Sequence, residues 1–194
     1  WNNPEHKSNP YANRDPRLAM SILTNNVEFK DRTIEAWTGG RDGKGVIHAT
    51  RTGYYIYKFI DPNLDLLQNR TSVHHWVIMR YAEILLSYAE AMNEAYGPTG
   101  NVGYRLNAVR ALNQVRNRVG VEMPAVPTAI SKEELREKIR NERRVELAFE
   151  DHRFWDVRRW MIAPETLGAP LRGVEITKIS DEEFEYKPCL LYTS

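Results

Sequence analysis

Between Glu142 and Trp160 the chain reads ERRVELAFEDHRFWDVRRW, dense at once in charge and in large aromatics. Glu142, Glu146 and Glu150 are four residues apart, a spacing that lines one face of a helix. Leu135, Ile139 and Phe149 share much of that face with Glu142 and Glu146, so some of these carboxylates point toward apolar packing. A buried carboxylate without a partner gives up its charge. Arg143, Arg144, Arg153, Arg158 and Arg159 are at hand, and the planar guanidinium fork matches a carboxylate in two places. The expected outcome is a structural ion-pair network of Arg80, Glu142, Glu146, Glu150, Arg153, Asp156 and Arg159. Such a network fixes how two helices sit against each other.

The same reading argues against acid–base chemistry. Arginine neighbours lower a carboxylate pKa, and a general acid needs it raised. A glycosidase also needs two carboxylates across a cleft, a geometry this run does not announce. No catalytic residue is therefore expected. Nor is a metal or a cofactor. His74 and His75 are adjacent and point apart, His152 lacks a metal-binding spacing, and His6 and His48 are isolated. Gly39 to Gly45 lacks the Gly-Lys-Ser/Thr ending and the context of a phosphate loop. The single cysteine, Cys189, excludes a disulfide framework.

With 194 residues, 42% of them hydrophobic, the chain can bury one real core. A net charge of +1 gives no bulk attraction for nucleic acid or an anionic membrane. No apolar run approaches the ~20 residues of a membrane span. Trp1 to Pro10 reads as the middle of a polar loop, so the chain is expected to be part of a longer protein. Cys189 to Ser194 (CLLYTS) matches one reading frame of a transposon adapter used in sequencing libraries, and is read as a non-native tail.

Residues 1–70 are rich in Asn, Asp, Gly, Pro and Thr, with short apolar alternations. Arg17 to Leu23 and Gly53 to Ile60 predict strands, and Thr38 to Gly45 predicts a loop. From Ser72 the period becomes helical. Val77, Ile78, Tyr81, Ile84, Leu85, Tyr88, Ala89 and Met92 predict a helix over roughly 74–95, ended near Gly97-Pro98. Leu106, Val109, Leu112 and Val115 predict a second over 103–119. Ser131 to Glu134 is a capping box that opens a third. A fourth is expected over 151–163, closed by Pro164. Residues 164–188 read as an extended tail. Trp76, Trp155 and Trp160 fall within helical pattern and are expected in the core. Two helix pairs over 72–163, spaced like tetratricopeptide units, make the chain mainly α.

In a loop-rich region the natural ligand chemistry is stacking plus hydroxyl recognition. A pyranose packs its C–H face on an aromatic ring while its hydroxyls reach Asn, Asp, Arg and Gln. Trp37, beside Gly39-Gly40, is the foremost candidate. Tyr11, Tyr54 and Tyr55 follow, then Trp1.

Three motifs carry a resemblance. The first is Asn13-Arg14-Asp15-Pro16-Arg17-Leu18. The second is the helix Met79 to Ala91 (MRYAEILLSYAEA). The third is Glu142-Arg143, Glu146-Leu147, Glu150, His152-Arg153, Asp156-Val157 and Arg159. Together, over about residues 11–188, they resemble the C-terminal part of a SusD/RagB-family protein. That resemblance implies a non-catalytic lipoprotein of the Bacteroidetes outer membrane, exposed at the cell surface. It would bind an oligosaccharide or polysaccharide and deliver it to a SusC-like TonB-dependent transporter. It also implies an α-α superhelix of tetratricopeptide-like pairs, with the signal peptide and lipidated cysteine outside these residues. The family's ligand aromatics vary in position, so none is transferred to this chain. Two alternatives stay open: a helical-repeat module binding a protein partner, and a SusD-like protein serving a peptide transporter.

Overall fold

A computed structural model describes His6 and residues 9–191. These divide into two compact units. One holds Asp15–Arg17 and His75–Ile162 and is helical. The other takes the described residues of 1–14, 18–74 and 163–194. The architecture is mainly α with a loop-rich, short-stranded region before the helices, as the periodicity change near Ser72 implies.

Within the described residues α1 is Arg17–Ser21, followed by β1 Ile22–Leu23, β2 Glu28–Phe29, β3 Arg32–Thr33, β4 Tyr55–Ile56 and a 3-10 turn at Leu66–Gln68. The helical unit holds α2 Tyr81–Tyr96, α3 Ala108–Arg116, α4 Lys132–Glu146 and α5 His152–Arg159. Then come α6 Ala163–Leu167, β5 Leu171–Lys178 and β6 Phe184–Leu191.

α2 packs against both α3 and α4. Leu85, Leu86, Ala89 and Met92 from α2 meet Val109, Leu112 and Val115 from α3 and Leu135 and Ile139 from α4 in one apolar cluster. Leu86, Leu112 and Leu135 are fully excluded from solvent; each contributes about 1.5–3 kcal/mol of burial. Capping sets where the helices begin. Ser131 accepts from Glu134 N–H while the Glu134 carboxylate takes Ser131 N–H at 3.0 Å, closing the box read from the sequence. Asn107 caps α3 by accepting from Arg110 N–H at 2.9 Å. The proline-broken connector between α3 and α4 is pinned by one amide. Asn113 donates to Val126 O at 2.9 Å and accepts Val126 N–H at 2.8 Å.

In the second unit β1 pairs antiparallel with β4, β2 with β3, and β5 with β6. The β5–β6 hairpin runs in register from Lys178↔Phe184 to Leu171↔Leu191. Val174, Ile176 and Phe184 from the hairpin pack with Leu23, Ile34 and Ala36. Backbone comes close here: Val174 N–H reaches Thr52 O at 2.8 Å, and a Cβ on Gly173 would stand 2.8 Å from that oxygen. Only glycine fits at 173.

Several expectations shift. Arg17 to Leu23 is a short helix leading into a two-residue strand, because the Pro16 ring presets φ for a helical start. Gly53 to Ile60 keeps only Tyr55–Ile56 as strand. α2 begins at Tyr81 rather than near 74. Arg80, at its N-cap, has extended backbone and no capping side chain; its guanidinium is spent on two glutamates of the network described below. α3 is shorter than 103–119: the Asn107 cap sets its start at Ala108, and it ends at Arg116. Pro164 does not close α5; it falls in the first turn of α6, where a missing N–H costs nothing. Of the tryptophans expected in the core only Trp160 is there, at 9% exposure; Trp76 is 56% exposed and Trp155 66%. Phe149, expected on the face of Glu142 and Glu146, has φ +64° past the end of α4 and is exposed. Residues 164–188, read as a tail, hold α6 and most of the hairpin. Trp1 lies outside the described residues.

Cys189, Leu190 and Leu191 pair only with Gly173, Arg172 and Leu171, at the open end of the hairpin, and none belongs to the apolar cluster. Truncation after Pro188 is expected to lower the thermal midpoint by no more than about 2 °C. A drop of many degrees in a melting experiment would show that these residues hold the hairpin together.

Candidate functional site

The helical unit carries its most deeply buried carboxylates in one knot. Glu142 and Glu146 are 1% and 2% exposed. Arg17 places one guanidinium nitrogen 2.6 Å from Glu142 Oε1 and 2.8 Å from Glu146 Oε2. The rest of that guanidinium takes Asp15 in two places, at 2.6 and 2.9 Å. Arg80 straddles Glu146 Oε1 at 2.6 Å and both oxygens of Glu150 at 2.7 and 2.9 Å. Arg116 closes on the free Glu142 oxygen at 2.6 Å, and Arg118 binds Glu146. Four arginines face four carboxylates, so the knot is neutral.

Burial, the largest influence on Glu146, would raise its pKa. Hydrogen bonds from Arg118, Arg17 and Arg80 outweigh burial and lower it to about 2. For Arg17, burial would lower the pKa, but bonds to Asp15, Glu146 and Glu142 carry it upward. A carboxylate held this firmly ionised has no proton to give, so Glu146 is unfit as a general acid.

A second knot joins α2, α4 and α5. Arg143 donates to Asp156 at 3.0 Å and to Ser87 at 3.0 Å. Arg159 spans Asp156 at 2.9 Å and both oxygens of Glu90 at 2.6 Å. Trp160 Nε1–H donates to the same Glu90 at 2.8 Å. Arg153 joins neither knot: within 4 Å it forms no ion pair among the described residues, and burial, then Arg144, lower its pKa. The network expected to include it has Arg17, Arg80 and Arg118 on Glu146 instead. Spacing within Glu142 to Trp160 could not reveal partners 26 to 129 positions away.

The second unit contains a concavity of about 510 Å³. Tyr11, Phe184 and Tyr186 give it rings. Asn25 and Asn26 give it amides, and Glu182 and Glu183, in the turn joining β5 to β6, give it carboxylates. Asn25 is buried and fixed, accepting Ala36 N–H at 3.0 Å and reaching the Tyr186 hydroxyl at 3.4 Å. The rings form a continuous chain. Trp37 to Phe184 is 5.4 Å between centroids, Phe184 to Tyr186 6.5 Å, Tyr186 to Tyr11 5.4 Å and Tyr11 to Tyr54 6.3 Å. Burial, then Tyr54 and Tyr186, push the Tyr11 hydroxyl pKa upward, so it stays protonated.

The structure thus brings Tyr11, Tyr54 and Trp37 into one aromatic row but leaves their access unequal. Tyr11 lines the concavity. Trp37 is half-buried, with Phe184 against it and the Lys178 ammonium 5.1 Å from its ring centre. Tyr55 stands apart, donating to Asp42 O at 2.8 Å and accepting Thr50 N–H at 3.3 Å. Phe184 and Tyr186 also line the concavity and are not among the residues that the sequence marks. The signal was present in FEYKP, where aromatics alternate with charge at the period of a strand. Among the described residues no group of three or more His, Cys, Asp or Glu is placed to hold a metal ion, and no helix is long and apolar enough to cross a membrane.

Comparison with known proteins gives this geometry a context. The model of the SusD family matches residues 2–187. A SusD-like protein P2 of Formosa agariphila is 34% identical over 120 residues, covering 59% of this chain and 22% of the relative. A crystal structure of a SusD-like protein from Bacteroides fragilis superposes with a TM-score of 0.69 at 34% identity, covering 91% of this chain and 33% of that one. A second from that organism, described as a SusD-like carbohydrate binding protein, gives 0.68 at 33%, covering 88% and 34%. The chain therefore spans about a fifth of the curated relative and a third of the solved ones.

Two measurements probe the larger knot. Arg17→Ala removes the guanidinium shared by Glu142, Glu146 and Asp15 and leaves the buried knot one positive charge short; it is expected to cost about 3–5 kcal/mol, while Arg153→Ala costs about 0–1 kcal/mol. Equal losses in chemical denaturation would reject the assignment of Arg17. The lowered pKa of Glu146 also has a sign. Its contribution is fully present above its ordinary value of 4.5 and is lost as pH falls toward 2. The loss across that window is about 3 kcal/mol. Glu146→Gln should flatten the acid limb; parallel stability–pH curves for parent and variant would contradict this.

Proposed function

Given that the chain belongs to the SusD family, we propose that it is part of a non-catalytic glycan-binding protein of the bacterial outer surface. The whole protein captures an oligosaccharide or polysaccharide and passes it to a SusC-like TonB-dependent transporter. Its membrane attachment is a lipid carried outside these residues.

The observation that supports glycan as the ligand is the make-up of the concavity in the second unit. Rings from Tyr11 and Tyr186 stand beside the amides of Asn25 and Asn26 and the carboxylates of Glu182 and Glu183. Sugar rings need an apolar face to lie on and paired acceptors and donors for their hydroxyls, and this wall offers both. The absence of acid–base function is supported by the buried carboxylates Glu142, Glu146, Glu150 and Asp156 of the helical unit, which are committed to arginines. The kinship to a protein described as carbohydrate binding supports the same reading. The transporter partner and the surface location rest on the family resemblance.

The test is calorimetry of the full-length protein against a panel of plant and host glycans, with Asn26→Ala/Glu182→Ala and Trp37→Ala beside the parent. The double variant should weaken binding at least tenfold, about 1.4 kcal/mol. Trp37→Ala should weaken it by about 1–3 kcal/mol if its ring backs the platform. No reducing ends should accumulate over hours with any glycan. Binding unchanged in all variants would place the ligand elsewhere in the protein, and release of reducing ends would overturn the non-catalytic reading.

A further inference from the structure

The β5–β6 hairpin carries more acid than it pairs. Lys178 donates to Asp181 at 2.7 Å and Lys187 lies 3.0 Å from Glu185, so both lysines of the hairpin are taken. Glu182 and Glu183, in the turn between the strands, are exposed and form no ion pair among the described residues. Both line the concavity of the second unit, with Tyr11, Asn25, Asn26 and Tyr186. Among the described residues no lysine, arginine or histidine lines it.

The turn is held in place. Ile179 N–H and Ser180 N–H both bond Glu183 O, at 2.9 and 3.2 Å. Phe184, next in the chain, is buried against Trp37. The two carboxylates are thus presented from a fixed backbone. Acceptor chemistry then sorts the ligands. An ionised carboxylate only accepts hydrogen bonds. A sugar hydroxyl donates to it, and a protonated amine donates with charge assistance. A uronate brings acceptors and a charge of the same sign, and meets repulsion where the others form bonds. Asn25 does not offset this: its side-chain oxygen accepts Ala36 N–H, and its nitrogen is turned to the Tyr186 hydroxyl.

We infer that the concavity takes neutral or amine-bearing sugars and turns away anionic ones, and that Glu182 and Glu183 set this preference. The inference rests on the reading of the concavity as a glycan-binding wall and adds the charge class of the sugar. Both carboxylates face water, so the selection is screened by salt and is about tenfold rather than thousandfold.

The test is calorimetry on the full-length protein. Cello-, malto-, manno- and galacto-oligosaccharides are each offered in three forms of one backbone: unmodified, oxidised at C6 to the uronate, and aminated at C6. The unmodified and aminated forms should bind about tenfold more tightly than the uronate, a difference of about 1.4 kcal/mol, and high salt should shrink that ratio. Glu182→Gln/Glu183→Gln keeps the shape and removes the charge, and should bring the ratio to within about twofold. Glu175→Gln, an exposed carboxylate of the same hairpin outside the concavity, should keep the parent's ratio, and circular dichroism should show each variant folded. A uronate bound as tightly as its neutral form or more so, or a ratio indifferent to the double substitution, overturns the inference and leaves the glycan reading standing. Binding that Asn26→Ala/Glu182→Ala does not weaken moves the ligand out of the concavity, and no binding of any form refutes glycan as the ligand; either result overturns both.

Discussion

Glu142 and Glu146 are almost wholly removed from water, and everything around them follows from keeping them charged there. An isolated carboxylate in such a place costs far more than any single contact returns. Here each oxygen meets a guanidinium, and the guanidiniums come from four separate points of the chain. Arg17 arrives from the start of α1, Arg80 from the threshold of α2, Arg116 from the last turn of α3 and Arg118 from the turn beyond it. The knot is therefore a positional device. The helices meet where α4 can satisfy all four arginines at once.

The rest of the helical unit is consistent with that demand. The apolar cluster of α2, α3 and α4 supplies the bulk of the burial, while the charged knots decide register. Arg143, Asp156, Arg159 and Glu90 tie α5 to α2 and α4 in the same manner, with the Trp160 indole anchored on Glu90. Interactions of this kind add less net stability than their short distances suggest, because desolvation consumes much of the Coulomb gain. What they add is intolerance of misalignment, since any slip leaves a charge unpaired.

The second unit works by different means. It has little regular structure and a small apolar cluster, so backbone closeness and stacked rings take over. Gly173 lies against Thr52, and the hairpin brings Phe184 and Tyr186 beside Tyr11 and Trp37. A polar concavity with an aromatic wall results, on a segment whose turn supplies exposed carboxylates. One unit is thus fixed by buried ion pairs, the other by backbone closeness and stacked rings.

Helical periodicity after Ser72, the capping box at Ser131 and the demand that Glu142 and Glu146 find arginines were all legible in the sequence, because each is set by residues within a turn or two. So was the family, whose three motifs prove to be the pieces of one knot: Asp15 and Arg17 in the first, Arg80 in the second, Glu142, Glu146 and Glu150 in the third. The identity of the partners was legible only in part: Arg80, Asp156 and Arg159 could be named, Arg17, Arg116 and Arg118 could not. Arg153 was near in sequence and stands aside, whereas Arg17 is distant and buried, since only the path of the chain decides which guanidinium arrives. The exposure of Trp76 and Trp155 was hidden for the same reason. Periodicity states that a residue is apolar and on a face; it does not state whether anything covers that face. The aromatic row was half visible, with Tyr11, Tyr54 and Trp37 marked by their loops and Phe184 and Tyr186 concealed in a strand. Their place became evident only when β6 folded back on β5, a pairing fixed by long-range register rather than by local preference.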